Sequence, residues 1–240
     1  MTGEPLPGGF VSGVYRVAET VRRTAPERAG FVHALLQLLA DRGWVGAPRP
    51  LGADEHGRQV LTYVPGHVPL TPAERAALAT PETAAAVGAL VRELHDLTAG
   101  SPLAGGHEVV CHNDLSPKNT VYRDGRPVTF LDWDLAAPGD RIADVAHCCW
   151  QFSELGPGQA HPAAAARLVR AVADGYGLAD RGRLVDRILQ WQSDCWHGIA
   201  AGIAAGDPRF DRLRDADAVT HVRAVQEWTA AHRAALEAAL

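Results

Sequence analysis

The run His112-Asn113-Asp114-Leu115-Ser116-Pro117-Lys118-Asn119, followed by Phe130-Leu131-Asp132-Trp133-Asp134, decides how this chain is read. Asp114 comes just after the apolar strand Val109-Val110-Cys111, and Asn119 lies five residues further on. Thr120-Val121-Tyr122 pairs with Val128 to Leu131 across an Asp124-Gly125 turn, and Asp132 sits at the end of that hairpin. An irregular loop held between strands brings Asp114, Asn119 and Asp132 to one spot. Three oxygen-bearing side chains there suit Mg²⁺ and a reacting hydroxyl. Mg²⁺ keeps several waters and takes one or two protein ligands, so one Asn and one Asp as ligands leave a second Asp as base.

Working outward, the N-terminal side reads as strands and turns. Gly8, Gly9 and Gly13 punctuate the start, and Val14 to Val17 and Thr20 to Arg23 form two short strands. Thr24-Ala25-Pro26-Glu27 has the form of a capping box, with Phe31, Leu35, Leu38 and Leu39 following at helical spacing until Gly43. Gln59 to Val64 reads as a further strand ending at Pro65-Gly66. Residues 1–64 are therefore expected to be a small β-rich lobe, 65–69 a hinge, and 70–240 a larger lobe. In the last of these, Thr71-Pro72-Ala73-Glu74 and Thr80-Pro81 open helices. From Ile142 onward the pattern is helical, with apolar stripes such as Leu184, Ile188, Trp191, Cys195 and Ile199. The expected fold class is α+β.

Composition excludes several function classes. A net charge of −5 argues against a nucleic-acid binder, which needs clustered positive charge. No apolar run approaches a membrane span, and the opening MTGEPLPGGF has no basic start or apolar core, so a cytoplasmic protein is expected. Cys111, Cys148, Cys149 and Cys195 show no metal or redox spacing and read as small buried hydrophobes. Lys118 is the only lysine; the remaining basic residues are arginine.

The run H-N-D-L-S-P-K-N with L-D-W-D and then Asp144-Val145-Ala146 resembles the aminoglycoside phosphotransferase family, small-molecule kinases with a protein-kinase-like fold. The resemblance is most specific between His112 and Ala146. It implies a two-lobed enzyme with a small β-rich N-lobe and a larger, mainly helical C-lobe. It implies Asp114 as catalytic base, Asn119 and Asp132 as Mg²⁺ ligands, and His112 as loop support. A phosphate-covering turn falls on Gly9, Ser12 and Gly13, and a nucleotide-binding hinge on Thr62 and Val64. Arg22 takes the basic position on the third strand, with Arg23 as a rival and Glu27, in the first turn of the following helix, as the candidate acidic partner. The implied reaction moves the γ-phosphate of Mg-ATP or Mg-GTP to a hydroxyl of a small molecule, with an aminoglycoside-like amino sugar as first acceptor and antibiotic resistance as the matching role. The alternative is a nucleotide-binding regulator that is catalytically weak or inactive.

The residues outside this core carry less. Asp134 is expected on the opposite side from Asp132 if the strand continues through Trp133, and Asp144 to open a helix and tie the loop. Trp150, Trp191, Trp196 and Trp228 fall at core spacing, with stacking on a sugar or a quaternary amine as the alternative.

Overall fold

The structure, a computed structural model, describes residues 3–6, 13–159 and 161–240. Its N-terminal part is a five-stranded antiparallel sheet. The strands are β1 (Glu4–Pro5), β2 (Tyr15–Val17), β3 (Thr20–Arg23), β4 (Pro50–Ala53) and β5 (Gln59–Thr62), in the order β1-β2-β3-β5-β4. Register sets Arg22 opposite Val60 and Arg23 opposite Gln59. Between β3 and β4 runs α1 (Ala29–Asp41), which buries Val32, Leu35, Leu36 and Leu39 on one face. The Thr24 to Glu27 box does not cap it. Ala29 N–H bonds to Pro26 O (3.0 Å), so a tight turn intervenes and Arg28 occupies the cap position without a side-chain bond. Thr71 and Glu74 do form the expected reciprocal box at the head of α2 (Pro72–Leu78), with bonds of 2.8 and 3.2 Å. Next comes α3 (Pro81–Thr98), where Thr83 N–H bonds to Thr80 Oγ1 at 3.2 Å.

The segment that carries Asp114, Asn119 and Asp132 follows. β6 (Val109–Cys111) leads into the loop, and β7 (Thr120–Arg123) and β8 (Arg126–Phe130) make the hairpin. Asp124 and Gly125 both have positive φ (50° and 75°), the geometry of a type I′ turn. The segment Ala137–Gly139 then forms β9 and returns antiparallel to β6, a pairing the sequence pattern did not show. A strand of Ala-Pro-Gly carries no β-forming side chains, so only its partner defines it.

The remainder is helical: α4 (Arg141–Phe152), α5 (Pro162–Tyr176), α6 (Leu184–Ala204), α7 (Asp211–Asp215), α8 (Ala218–Ala231) and α9 (Arg233–Ala239). Contacts group the chain into two compact units, one of residues 1–75 and 90–141, the other of 76–89 and 142–240. Within the second unit, Gly88 and Gly175 let α3 and α5 meet backbone to backbone. A Cβ on Gly175 would collide with Ala85 O, and one on Gly88 with Val172 O. A fully buried bond from Gln192 Nε2 to Thr229 Oγ1 (3.0 Å) joins α6 to α8.

Candidate active site

Every charged group of the site belongs to the first unit, and His112 organises it. The imidazole is fully buried against the rings of Phe130 and Trp133, with centroids 5.8 and 4.4 Å away. Its Nδ1 accepts the Asp114 N–H (3.2 Å), so Nε2 carries the proton and donates to Leu131 O (3.1 Å). One neutral histidine thereby pins the backbone of Asp114 to the end of the hairpin. That is loop support, as expected.

The turn Pro117–Asn119 brings Asn119 back over Asp114. Asn119 Nδ2 donates to Asp114 Oδ2 (2.7 Å) and to Asp114 O (3.0 Å), while Leu131 N–H bonds to Asn119 O (2.7 Å). With its nitrogen spent on Asp114, the amide oxygen of Asn119 is the atom a cation would take. Asp132 has φ +60°, a left-handed conformation that Asp tolerates better than most residues. β8 has ended two residues earlier, and this turn undoes strand alternation.

The consequence is a correction. Asp134 shares the side of Asp132, and one guanidinium holds both: Arg23 Nη1 lies 3.4 Å from Asp132 Oδ1, and Nη2 donates to Asp134 Oδ1. Arg23 Nε donates to Gln59 Oε1 (2.9 Å), so all three nitrogens are engaged. Arg22 points elsewhere, with Nη1 3.5 Å from Asp54 Oδ2. The structure thus brings Arg23, rather than Arg22, to the predicted metal ligand. Asp54 itself is held near 2: burial opposes ionisation, but the backbone N–H groups of Arg58 and His56 and the Arg58 guanidinium outweigh it.

The electrostatics of this cluster fit a divalent cation. Burial pushes the Asp114 carboxyl up to about 6, and the Asp132 and Asp134 carboxylates add to this against the pull of Lys118 and the Asn119 bond. Burial and Asp132 likewise raise Asp134, against Arg23. The site carries surplus negative charge with oxygen-only donors, the chemistry Mg²⁺ prefers.

Beside the cluster opens a cavity of about 370 Å³. Val21, Leu36, Leu61, Val121 and Leu131 supply apolar wall, and Arg23, Lys118, Asn119 and Asp132 supply the charged and polar end. Thr62, Tyr63 and Val64 line it too. Thr62 N–H is used on Arg49 O (3.0 Å) and Tyr63 N–H on Glu19 O (2.9 Å), and Pro65 has no N–H. Val64 also lines the cavity, and no backbone bond of its N–H is seen among the described residues. Gly13 packs on the Tyr15 ring just before Val14, which lines the cavity. Gly9 and Ser12 lie outside the described residues.

The family model described as the phosphotransferase enzyme family (APH) matches residues 2–108 and 100–185. This chain belongs to that family. A relative from Rhizobium leguminosarum bv. trifolii, the trifolitoxin immunity protein, is 30% identical over 98% of this chain and 97% of its own length. Solved structures share the fold at low identity. A choline/ethanolamine kinase family protein from Mesorhizobium loti superposes with a TM-score of 0.68 at 20% identity, covering 98% of this chain and 92% of that one. The macrolide 2'-phosphotransferase MphH from Brachybacterium faecium gives 0.61 at 21%, covering 88% and 89%. The gentamicin-bound APH(2")-IIa gives 0.62 at 14%, covering 91% and 89%. The fold of this family member is thus the kinase-like one, a small antiparallel sheet region followed by a mostly helical remainder.

Trp150 is buried, Trp191 Nε1 donates to Ala143 O (2.7 Å), and Trp196 Nε1 donates to Gln226 Oε1 (2.9 Å). Asp144 is fully buried in the first turn of α4. No helix among the described residues is long and apolar enough to cross a membrane.

Proposed function

We propose that this phosphotransferase moves the γ-phosphate of a nucleoside triphosphate, ATP or GTP, to a hydroxyl of a small molecule. The convergence of Asp114, Asn119, Asp132 and Arg23 at one end of an otherwise apolar cavity carries the reading. The base sits in the apolar cavity near Val64, whose backbone N–H meets its edge, and the phosphates extend toward Arg23. Residues 1–64 act as the nucleotide lobe, 65–69 as hinge, and 70–240 as the catalytic and acceptor lobe. Asn119 and Asp132 hold Mg²⁺, which when bound offsets phosphate charge. Gly9, Ser12 and Gly13 cover the phosphates.

Asp114 orients the acceptor hydroxyl and takes its proton at Oδ1, the oxygen that Asn119 Nδ2 leaves open. A carboxyl near 6 is a better acceptor than an ordinary aspartate, yet remains ionised at neutral pH. The proton is accepted late, because a carboxylate is far too weak to ionise an alcohol beforehand. Positioning and charge neutralisation do most of the work.

For the acceptor, three of the four relatives reported above bear names that support one class, and the fourth is named for choline or ethanolamine. One confers immunity to a toxin, and structural neighbours are complexed with gentamicin or named for macrolides. The proposed acceptor is a hydroxyl-bearing antibiotic or toxin, with an amino sugar first, and the proposed role is resistance by phosphorylation. The test is a screen of such compounds with γ-labelled ATP and GTP in Mg²⁺. Transfer to at least one compound, abolished in Asp114→Asn, supports it. Nucleotide binding without transfer to any acceptor or to water would instead favour an inactive regulator.

A further inference from the structure

The cavity has two cations at its polar end, and they are not equivalent. Arg23 is committed on all three nitrogens, to Gln59, Asp132 and Asp134. Lys118 is exposed on the Pro117–Asn119 turn, four residues from Asp114 and next to Asn119, and lines the same cavity. A triphosphate carrying one Mg²⁺ still has roughly two negative charges, and it would meet three carboxylates here. Arg23, already shared by two of these, cannot balance that alone.

The residue type adds a second argument. Every other Lys/Arg position in the chain is arginine, and this one is lysine. A guanidinium among these carboxylates would commit its N–H groups to them, as Arg23 does to Asp132 and Asp134. An ammonium is a compact charge with three rotatable donors on a flexible stem. It can leave a carboxylate for a phosphate oxygen at small cost.

From this juxtaposition we infer that Lys118 is a substrate-contacting residue that holds the terminal phosphate of the bound triphosphate, Arg23 serving chiefly to fix Asp132 and Asp134. The inference rests on the phosphotransferase reading above. Lys118 stays on the transferred group as it passes to the acceptor hydroxyl, and so separates triphosphate from diphosphate.

Binding of β,γ-imido ATP and GTP and of ADP and GDP, each with Mg²⁺, to the parent and to Lys118→Gln tests it by calorimetry. The variant should lose about tenfold in affinity for the triphosphate analogue and less than twofold for the diphosphate, with an unchanged unfolding curve. Because Lys118 is the sole side-chain amine, acetylation by an N-hydroxysuccinimide ester can be mapped by mass. The triphosphate analogue should slow its modification about fivefold or more, and the diphosphate much less. Equal losses for both nucleotides, or no loss, would overturn the assignment of Lys118 while leaving the nucleotide site intact. A parent protein that binds neither nucleotide would overturn the phosphotransferase reading itself, and this inference with it.

Discussion

Residues 112–134 and residues 142–240 are both well packed, yet they differ in what their positions tolerate. In the first, His112, Asp114, Asn119, Asp132 and Asp134 each occupy a place that one functional group fills, and two have neighbours fixed by hydrogen bonds of 2.7–3.2 Å. In the second, helices bury mainly apolar side chains, among them Leu168, Val169, Val172, Leu184, Val185 and Ile188, that pack by volume, and many sequences would serve. Chemistry is therefore concentrated in a short segment, while stability is spread over a long one. Substitutions should separate the two.

The largest effect is expected at Asp114. Asp114→Asn should lower phosphoryl transfer by about 10²–10⁴-fold in a steady-state assay. The same variant should be more heat-resistant than the parent at pH 7.5 without nucleotide or metal. The sign follows from the raised carboxyl: with a folded value of about 6 and an unfolded one near 3.9, the ionised form is penalised in the folded state. The penalty is absent below pH 4, grows through pH 4–6, and is full above that. Asn should relieve about 1–3 kcal/mol of it at pH 7.5, and nothing at pH 4, as read from unfolding curves at the two pH values.

The helical unit should behave in the reverse way. Gly175→Ala drives a Cβ into the backbone of Ala85 and should cost about 1–3 kcal/mol in urea titrations, while KM for nucleotide stays within twofold. If transfer collapsed at temperatures where this variant is folded, the separation of chemistry from packing would be broken.

A finer comparison sits within β3. Arg23→Gln should weaken Mg-nucleotide binding by about tenfold, since it releases two carboxylates into the phosphate site, while Arg22→Gln should change it less than twofold. The smallest effect belongs to Thr71→Ala, which removes half of a surface capping box and should cost about 0.5–1 kcal/mol in unfolding measurements with no change in activity.

What the sequence showed follows the same division. The loop, the hairpin and its Asp-Gly turn were legible because few residue types satisfy a buried histidine bridge or two successive positive-φ positions. The choice of Arg22 over Arg23 as the leading basic residue missed an available signal. Alternate residues of a strand share a face, so Arg23 faces with Val21, and both line the cavity. Asp134 was misplaced because strand alternation was carried past Phe130, where the left-handed Asp132 ends it. The cap at Thr24 failed because the bond from Ala29 N–H to Pro26 O competes with it locally. β9 depends on a partner nearly 30 residues away, which no local pattern records. The acceptor site is least legible, since acids and tryptophans on amphipathic helices look alike whether they pack or bind.

The most direct single measurement is thermal unfolding of the parent and of Asp132→Asn, with Mg-ATP or Mg-GTP at about a hundred times its dissociation constant. The expected result is a gain of about 2.7 kcal/mol for the parent, or roughly 5–10 °C, that requires Mg²⁺ and shrinks in the variant. An equal shift in both proteins, or no shift with either nucleotide, would contradict the placement of a Mg-nucleotide beside Asp114, Asn119 and Asp132.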